Sequence, residues 1–489
     1  MNIVLASAEV FPFAKAGGLA DVSGYLPKEW EALGHRSLIV MPKYGDIDVE
    51  KFKLKPMNLT IAVPMGSWTE FGQIWSATLP DSTVPVYFIE SADYFDRKGI
   101  YGNPDGFADN NRRFIFLSRA VFELAAALNF KPDVILANDY HTAFTMPFLK
   151  IHYRDHYLFR DTVGVQSIHN MAFHGVFEPQ ETLYLAQIGM DQFYSMSWFE
   201  FHGALNSLKA GIMFADKITT VSPTYALEIR YSDQGYGLQN VLLERAGDLV
   251  GILNGVDYKV WDPETDSGIY VNYTADAVEK KWENKYEFLR RSNVHESEIY
   301  ADMPLIGMVS RLTDQKGFDV VRNAIEYLLH IYPIRFTLLG SGGREYEEYF
   351  RDLNLRMHPR TLIRIGYDEQ LSHRIEAAAD IFLMPSRFEP CGLNQMYSLK
   401  YGTIPIVRRT GGLADTVFEF NPESGTGNGF LFDDLSVQSL VDVIGRALNV
   451  YYNKPAWKKA MRNAMGADNS ARKSAKAYLE VFEWARRGR

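Results

Sequence analysis

Arg311 and Lys316 stand five residues apart in the segment SRLTDQKG, directly after an apolar run and ahead of a helix-like stretch. Two fixed cations at that spacing suit a diphosphate. When a bond to a nucleoside diphosphate breaks, negative charge develops on the departing phosphate, and preorganised cations stabilise it better than a proton donor does. A carboxylate with complementary chemistry follows in Ser386-Arg387-Phe388-Glu389-Pro390-Cys391-Gly392-Leu393. Held on a loop between a strand and a helix, Glu389 can accept hydrogen bonds from sugar hydroxyls and face positive charge growing at an anomeric carbon. Each of these residues also has a plain reading, as a solvated charge flanking a helix start.

Paired glycines add a third element. Gly17-Gly18-Leu19-Ala20-Asp21-Val22 is echoed by Gly411-Gly412-Leu413-Ala414-Asp415-Thr416-Val417. Both copies are expected to follow a strand and open a helix, exposing backbone N–H groups and the positive helix end to an anion. The plain alternative is a pair of tight strand-to-helix turns. There is no GxGxxG fingerprint after the first apolar run, which argues against a dinucleotide oxidoreductase.

Such residues need elements to carry them. Short Val/Ile/Leu-rich runs, each followed by a helix-like segment, recur along the chain: NIVLAS, SLIVMP, DVILAN, VGVQSIHN and KITTVSP, then PLIGMVSR, IRFTLLGSGG, TLIRIGY, IFLMPSR and TIPIVRR. Continuous apolar strands alternating with helices predict parallel sheets covered on both faces. The fold class is therefore α/β, with two doubly wound Rossmann-like domains. A length of 489 residues also exceeds what one core supports. The boundary is placed in GILNGVD, giving domains at residues 1–253 and 254–470, with a charged helix at about 276–292. An amphipathic last helix, about 471–487 within the terminal stretch 471–489, is expected to cross back to the first domain.

In open α/β sheets ligands lie beyond the C-terminal strand ends. The polar residues that follow the apolar runs are Lys15 to Gly18, Asn138-Asp139-Tyr140-His141, His169-Asn170 and Ser222 in the first half. In the second they are Ser310-Arg311, Gly340 to Gly343, Gly366-Tyr367 and Pro385 to Gly392.

Composition narrows the function classes. A net charge of −9 would repel a phosphate backbone, so nucleic acid is excluded as a partner, whereas a small phosphorylated ligand or a neutral glucan is not. The single cysteine, Cys391, rules out an intrachain disulfide and any thiolate metal cage, and fits a reducing compartment. No apolar stretch reaches the roughly 20 residues that span a bilayer. With no leader pattern at the N-terminus, the expected location is cytoplasmic and no membrane partner is expected. Asp46-Ile47-Asp48 has the DxD form of a cation site but falls in a loop after PKYG, and is read as a surface turn. No metal is expected.

Taken in order, KAGGLADV, Asp139 with His141, HNMAFHGVF, KAGI, ADKITTVSPTYALEI, GILNGVD, SRLTDQKG, SHRIEAAAD and PSRFEPCGLNQMYSLKYGTIPIVRRTGGLADTV resemble the bacterial glycogen synthases and plant starch synthases. The likeness runs from about residue 3 to about residue 432, and glycogen phosphorylase motifs are not evident. It implies the GT-B fold, two Rossmann-like domains facing across a cleft. It also implies retaining transfer of glucose from ADP-glucose to the non-reducing end of an α-1,4-glucan, with no cofactor.

By the same resemblance Lys15, Gly17 and Gly18 approach the donor and its diphosphate, and Asp139 and His169 lie beside the transferred glucose. Arg311 and Lys316 hold the diphosphate, while Glu389, Cys391 and Gly392 line the sugar subsite near Thr410, Gly411 and Gly412. Asp21, Asn170, Leu393 and Tyr367 complete the substrate-binding set, and the catalytic set is Glu389, Lys316, Arg311, His169 and Asp139. Lys209 matches a family lysine without an assigned role. With no carboxylate pair at glycosidase spacing evident, front-face displacement is favoured over a covalent glycosyl-enzyme.

The chain departs from the family pattern at Asn138 and Tyr140, at His174 in place of Gln, at Gly343 in place of Asp, at Ala16 in the KAGG turn, and in residues 468–471. Tyr94, Phe95 and Tyr101 are candidates for acceptor contacts. The alternatives are a transferase using UDP-glucose or another acceptor, and a non-catalytic glucan-binding protein on the same scaffold.

Overall fold

The computed structural model describes residues 1–102 and 106–488. The chain divides into two compact units, residues 1–255 with 471–489, and residues 256–470.

In the first unit the strands are β1 (Asn2–Ala6), β2 (Arg36–Pro42), β3 (Lys55–Met65), β4 (Trp68–Thr78), β5 (Pro85–Glu90), β6 (Val134–Asn138), β7 (Val163–Ile168), β8 (Val176–Phe177), β9 (Glu200–Phe201), β10 (Ala204–Asn206), β11 (Lys217–Thr220) and β12 (Leu249–Gly251). Nine of them form one sheet in the order β12-β11-β7-β6-β1-β2-β5-β4-β3. From β12 to β5 every pairing is parallel, and the central strands β1, β6 and β7 are almost wholly buried. That is why they read as continuous apolar runs.

The β3–β4 hairpin is antiparallel and escaped the apolar-run reading. Its residues alternate between buried and exposed, as a one-sided strand requires. A small antiparallel sheet, β8-β10-β9, stands apart from the main one. The helix Ala471–Arg487 packs into this unit through Tyr478, Phe482 and Ala475, whose carbonyl accepts a hydrogen bond from the Trp30 indole at 3.3 Å. The altered residues 468–471 therefore do not prevent docking of that helix.

The second unit contains β13 (Leu305–Val309), β14 (Arg335–Gly340), β15 (Thr361–Ile365), β16 (Ile381–Met384), β17 (Ile404–Arg408) and β18 (Phe430–Phe432). They form one fully parallel sheet in the order β15-β14-β13-β16-β17-β18. The charged helix before it is Lys281–Arg291, preceded by a 3₁₀ turn at Val278–Lys280. Phe318, Val321, Phe336, Leu338, Ile381 and Ile406 belong to its main apolar core, between sheet and helices.

Each parallel sheet has a place where the strand order reverses direction. In the first it lies between β1 and β6, and in the second between β13 and β16. The loops leaving neighbouring strands diverge there, which opens the crevice where α/β sheets bind ligands.

Candidate functional site

At the second reversal, the loop after β13 carries Arg311 and Lys316, and the loop after β16 carries Glu389. The Lys316 ammonium donates to a Glu389 carboxylate oxygen at 2.5 Å, and Ser386 Oγ donates to the same oxygen at 3.0 Å. Glu389 is only 6% exposed. Burial of this kind makes the pair geometrically specific, since removing either partner leaves an uncompensated charge. The Arg311 side chain is exposed and forms no ion pair among the described residues.

These loops are locked together through the backbone. Arg387 N donates to Gln315 O at 2.8 Å, tying the Lys316 turn to the Glu389 loop. Gly317 follows Lys316 with φ +78°, and a Cβ there would lie 2.1 Å from Pro385 O. Only glycine permits that approach. The Thr410-Gly411-Gly412 turn closes from the other side, with Gly412 N donating to Glu389 O at 3.3 Å and to Pro390 O at 3.2 Å. Cys391 is buried, and its carbonyl accepts from Gln395 Nε2 at 3.0 Å. Gly392 and Leu393 lead into the helix Asn394–Lys400.

The helix opened by Gly411 has six residues, Gly411–Thr416, and its second N–H is bonded within the protein. At this copy of the glycine pair the Gly412 N–H is used by the protein, and both glycines serve a close backbone crossing. Tyr367 follows the edge strand β15 and is 82% exposed, away from the Lys316–Glu389 contact.

At the first reversal, the loop after β1 carries Lys15, Gly17 and Gly18, and β6 ends in Asn138-Asp139. Lys15 Nζ pairs with Asp21 at 2.7 Å on a partly exposed surface. One Glu9 carboxylate oxygen accepts from Ala16 N at 2.5 Å and Gly17 N at 2.8 Å, and the other accepts from the Tyr101 hydroxyl. Glu9 was not among the expected residues. Its signal was a carboxylate three positions beyond the end of β1. The anion that these two N–H groups meet is thus the protein's own.

Asp139 adopts φ +52°, a region that Asp tolerates better than most residues. Its Oδ1 accepts from His169 N at 2.7 Å and Asn170 N at 3.4 Å. Burial outweighs those bonds and raises its pKa to about 7. His169 is likewise buried, which pushes its imidazole down to about 3 and keeps it neutral. His141 is shifted well downward by burial and by the Arg113 charge, and its ring stacks on Tyr101.

One further expectation changes, and three other features gain a structural account. Tyr94 and Phe95 are buried among Tyr44 and Phe116, which removes them as acceptor contacts. Lys209 Nζ donates to Glu200 O at 2.6 Å, a pin on the small β8-β10-β9 sheet. His174 bonds the Asn206 amide at 3.1 Å beside it. Asp46 and Asp48 accept from backbone N–H groups of Gly99 and Lys51, and no cluster of three or more metal-ligating side chains occurs among the described residues.

Two units, each built on a largely parallel sheet with charged loops at its reversal point, fit the GT-B class of glycosyltransferase, and comparison with known proteins agrees. Residues 2–244 match the family model "Starch synthase catalytic domain", and residues 290–464 match "Glycosyl transferases group 1". The glycogen synthases of Thermosipho africanus and Thermotoga maritima are each 42% identical to the chain, over 99% of both sequences. The catalytic domain of starch synthase IV from Arabidopsis thaliana, solved bound to ADP and acarbose, superposes with a TM-score of 0.90 at 32% identity, covering 99% of each chain. The chain belongs to the glycogen synthase and starch synthase family of glucosyltransferases. No described helix is long and apolar enough to cross a membrane.

Proposed function

We propose that the chain transfers glucose from ADP-glucose to the non-reducing end of an α-1,4-glucan, with retention at the anomeric carbon and release of ADP. The observation that carries this reading is the Lys316–Glu389 pair at the reversal of the second sheet, 2.5 Å apart and joined by a shared loop lattice. A cation for the leaving phosphate and a carboxylate for the sugar are there delivered side by side.

In this reading Arg311 and Lys316 stabilise charge on the departing ADP, which supplies the electrostatic help that other transferases take from a metal. Glu389 and the Cys391–Gly392 backbone hold the glucosyl hydroxyls, and His169 and the ionised form of Asp139 steady the ring from the first unit. Lys15 and the Gly17–Gly18 turn complete the donor set with Asp21, Asn170, Leu393, Thr410 and Tyr367. The acceptor O4 attacks from the face the phosphate leaves, and the phosphate oxygen takes its proton. Orientation and charge stabilisation then account for most of the rate. ADP in the Arabidopsis starch synthase structure supports an adenosine diphosphate donor. The lone cysteine fits a cytoplasmic enzyme.

The test is initial rates of nucleotide release on glycogen with ADP-glucose and with UDP-glucose, each with and without chelator. ADP release that ignores the chelator and exceeds UDP release is expected. A faster UDP-glucose reaction would reassign the donor, and glucan binding without release from either donor would reduce the protein to a binding module.

A further inference from the structure

Asn138 ends β6 where the family pattern has histidine, and its side chain makes the shorter of two contacts to His169 Nε2. Its amide is oriented by a backbone carbonyl. Asn138 Nδ2 lies 2.9 Å from Ala6 O, and since a carbonyl only accepts, the NH₂ end must face β1. Its Oδ1 then faces His169 Nε2, also at 2.9 Å. An amide oxygen has no proton to give, so Nε2 carries the hydrogen. A neutral imidazole has only one, which leaves Nδ1 bare.

Further contacts hold the backbone and neighbours of this pair. Ser167 Oγ lies 3.2 Å from Nε2 and 3.3 Å from the Tyr478 hydroxyl, so the helix Ala471–Arg487 reaches the histidine through one serine. Asp139 fixes the His169 backbone N–H at 2.7 Å. The Thr142 hydroxyl bonds both Asn138 N and Asn138 O, at 2.7 and 2.9 Å, which holds the asparagine backbone. His169 Nδ1 is buried and meets no hydrogen-bond partner among the described residues. A buried histidine nitrogen left as a bare acceptor, on a ring whose Nε2 is already bonded, is open to a hydrogen bond from a ligand.

We propose that Asn138 is a positioning residue that holds His169 as the Nε2–H tautomer, with its ring fixed so that Nδ1 accepts a hydrogen bond from a substrate hydroxyl. The part played by the substrate rests on the glucosyl-transfer reading; the tautomer does not. A histidine at position 138 could present either a donor or an acceptor to its neighbour, depending on its own protonation. Asparagine clamped on Ala6 O presents only an acceptor.

The experiment is nitrogen NMR of the full-length protein labelled in histidine, with His169 identified by loss of its signals in His169→Gln. The expected spectrum has a protonated Nε2 and an unprotonated Nδ1 without any substrate added. An Nδ1–H tautomer or an imidazolium at neutral pH overturns the proposal, whether or not the protein transfers glucose. Asn138→Leu removes both amide bonds and should give mixed tautomers, with kcat/KM for the donor about tenfold lower, the scale of one hydrogen bond. Asn138→Asp, whose neutral acid can donate to Ala6 O while its carbonyl oxygen faces Nε2, should restore the single tautomer at pH values where that acid is protonated. A Leu variant with one tautomer and full kcat/KM would also sink the idea. Should that variant not fold, the wild-type and Asp spectra still decide. Absence of transfer in the wild type would count against the proposed function while leaving the tautomer result standing.

Discussion

The two glycine pairs share a sequence and differ in the reason for being glycine. At Gly17 the backbone is extended, with φ −147° and ψ −167°, and a Cβ would meet nothing within 4 Å. At Gly411 the backbone is left-handed, with φ +42°, and a Cβ would lie 2.0 Å from Glu389 O. One turn is open and held by a neighbouring carboxylate; the other is pressed against the loop that carries Glu389. A repeated motif therefore does not imply a repeated duty. Space around the backbone, invisible in the sequence, decides which it is.

The strongest way to break the comparison is to remove the charges that the second turn supports. Glu389→Ala and Lys316→Ala should each lower ADP release by about 10² to 10³. Near-normal rates in both would mean the tight turn protects nothing catalytic. Asp139, at the open end of the first sheet, offers a pH test. Its carboxyl loses its proton as pH rises through about 7, so if the ionised form works, kcat/KM should fall about tenfold per pH unit below that. The sign for stability is opposite. A folded pKa raised above the unfolded value near 3.8 means that stability is present at low pH and lost as pH rises toward 7. Asp139→Asn should then be inactive yet about 1 to 2 kcal/mol more stable than the parent at pH 8, measured by denaturant unfolding.

Gly411→Ala should cost about 1 to 3 kcal/mol of stability and carry the Glu389 rate down with it. Gly17→Ala, with room around it, should stay within about 0.5 kcal/mol of the parent in the same unfolding assay. Equal costs at the two positions would erase the distinction. A milder probe of the open turn is Glu9→Ala. It frees the Ala16 and Gly17 N–H groups and should raise the donor KM by roughly tenfold, the scale of a charge-assisted hydrogen bond, with kcat less affected.

Much of the scaffold was legible because parallel strands buried on both faces leave continuous apolar runs. NIVLAS, DVILAN, PLIGMVSR and IFLMPSR are β1, β6, β13 and β16, the four strands that frame the two reversals. The β3–β4 hairpin was not legible by that signal, since a one-sided strand alternates polar and apolar residues. Arg311, Lys316 and Glu389 could be named as candidates because each lies in the loop after such a run, and the structure pairs two of them, Lys316 and Glu389. Glu9 and the Ser167–Tyr478 link were not legible. Their importance lies in what they touch, and Tyr478 lies 311 positions from Ser167.

Residue order alone settled the fold class, the strand ends that carry charge and the family to which the chain belongs, because each follows from local pattern and from motifs kept in register. Only the folded chain decided that Lys316 meets Glu389, that the first glycine turn is held by Glu9, and that His169 keeps a bare Nδ1. Those facts depend on atoms brought within about 3 Å from distant positions, and hydrogen-bond direction at that range is set by geometry rather than by residue type.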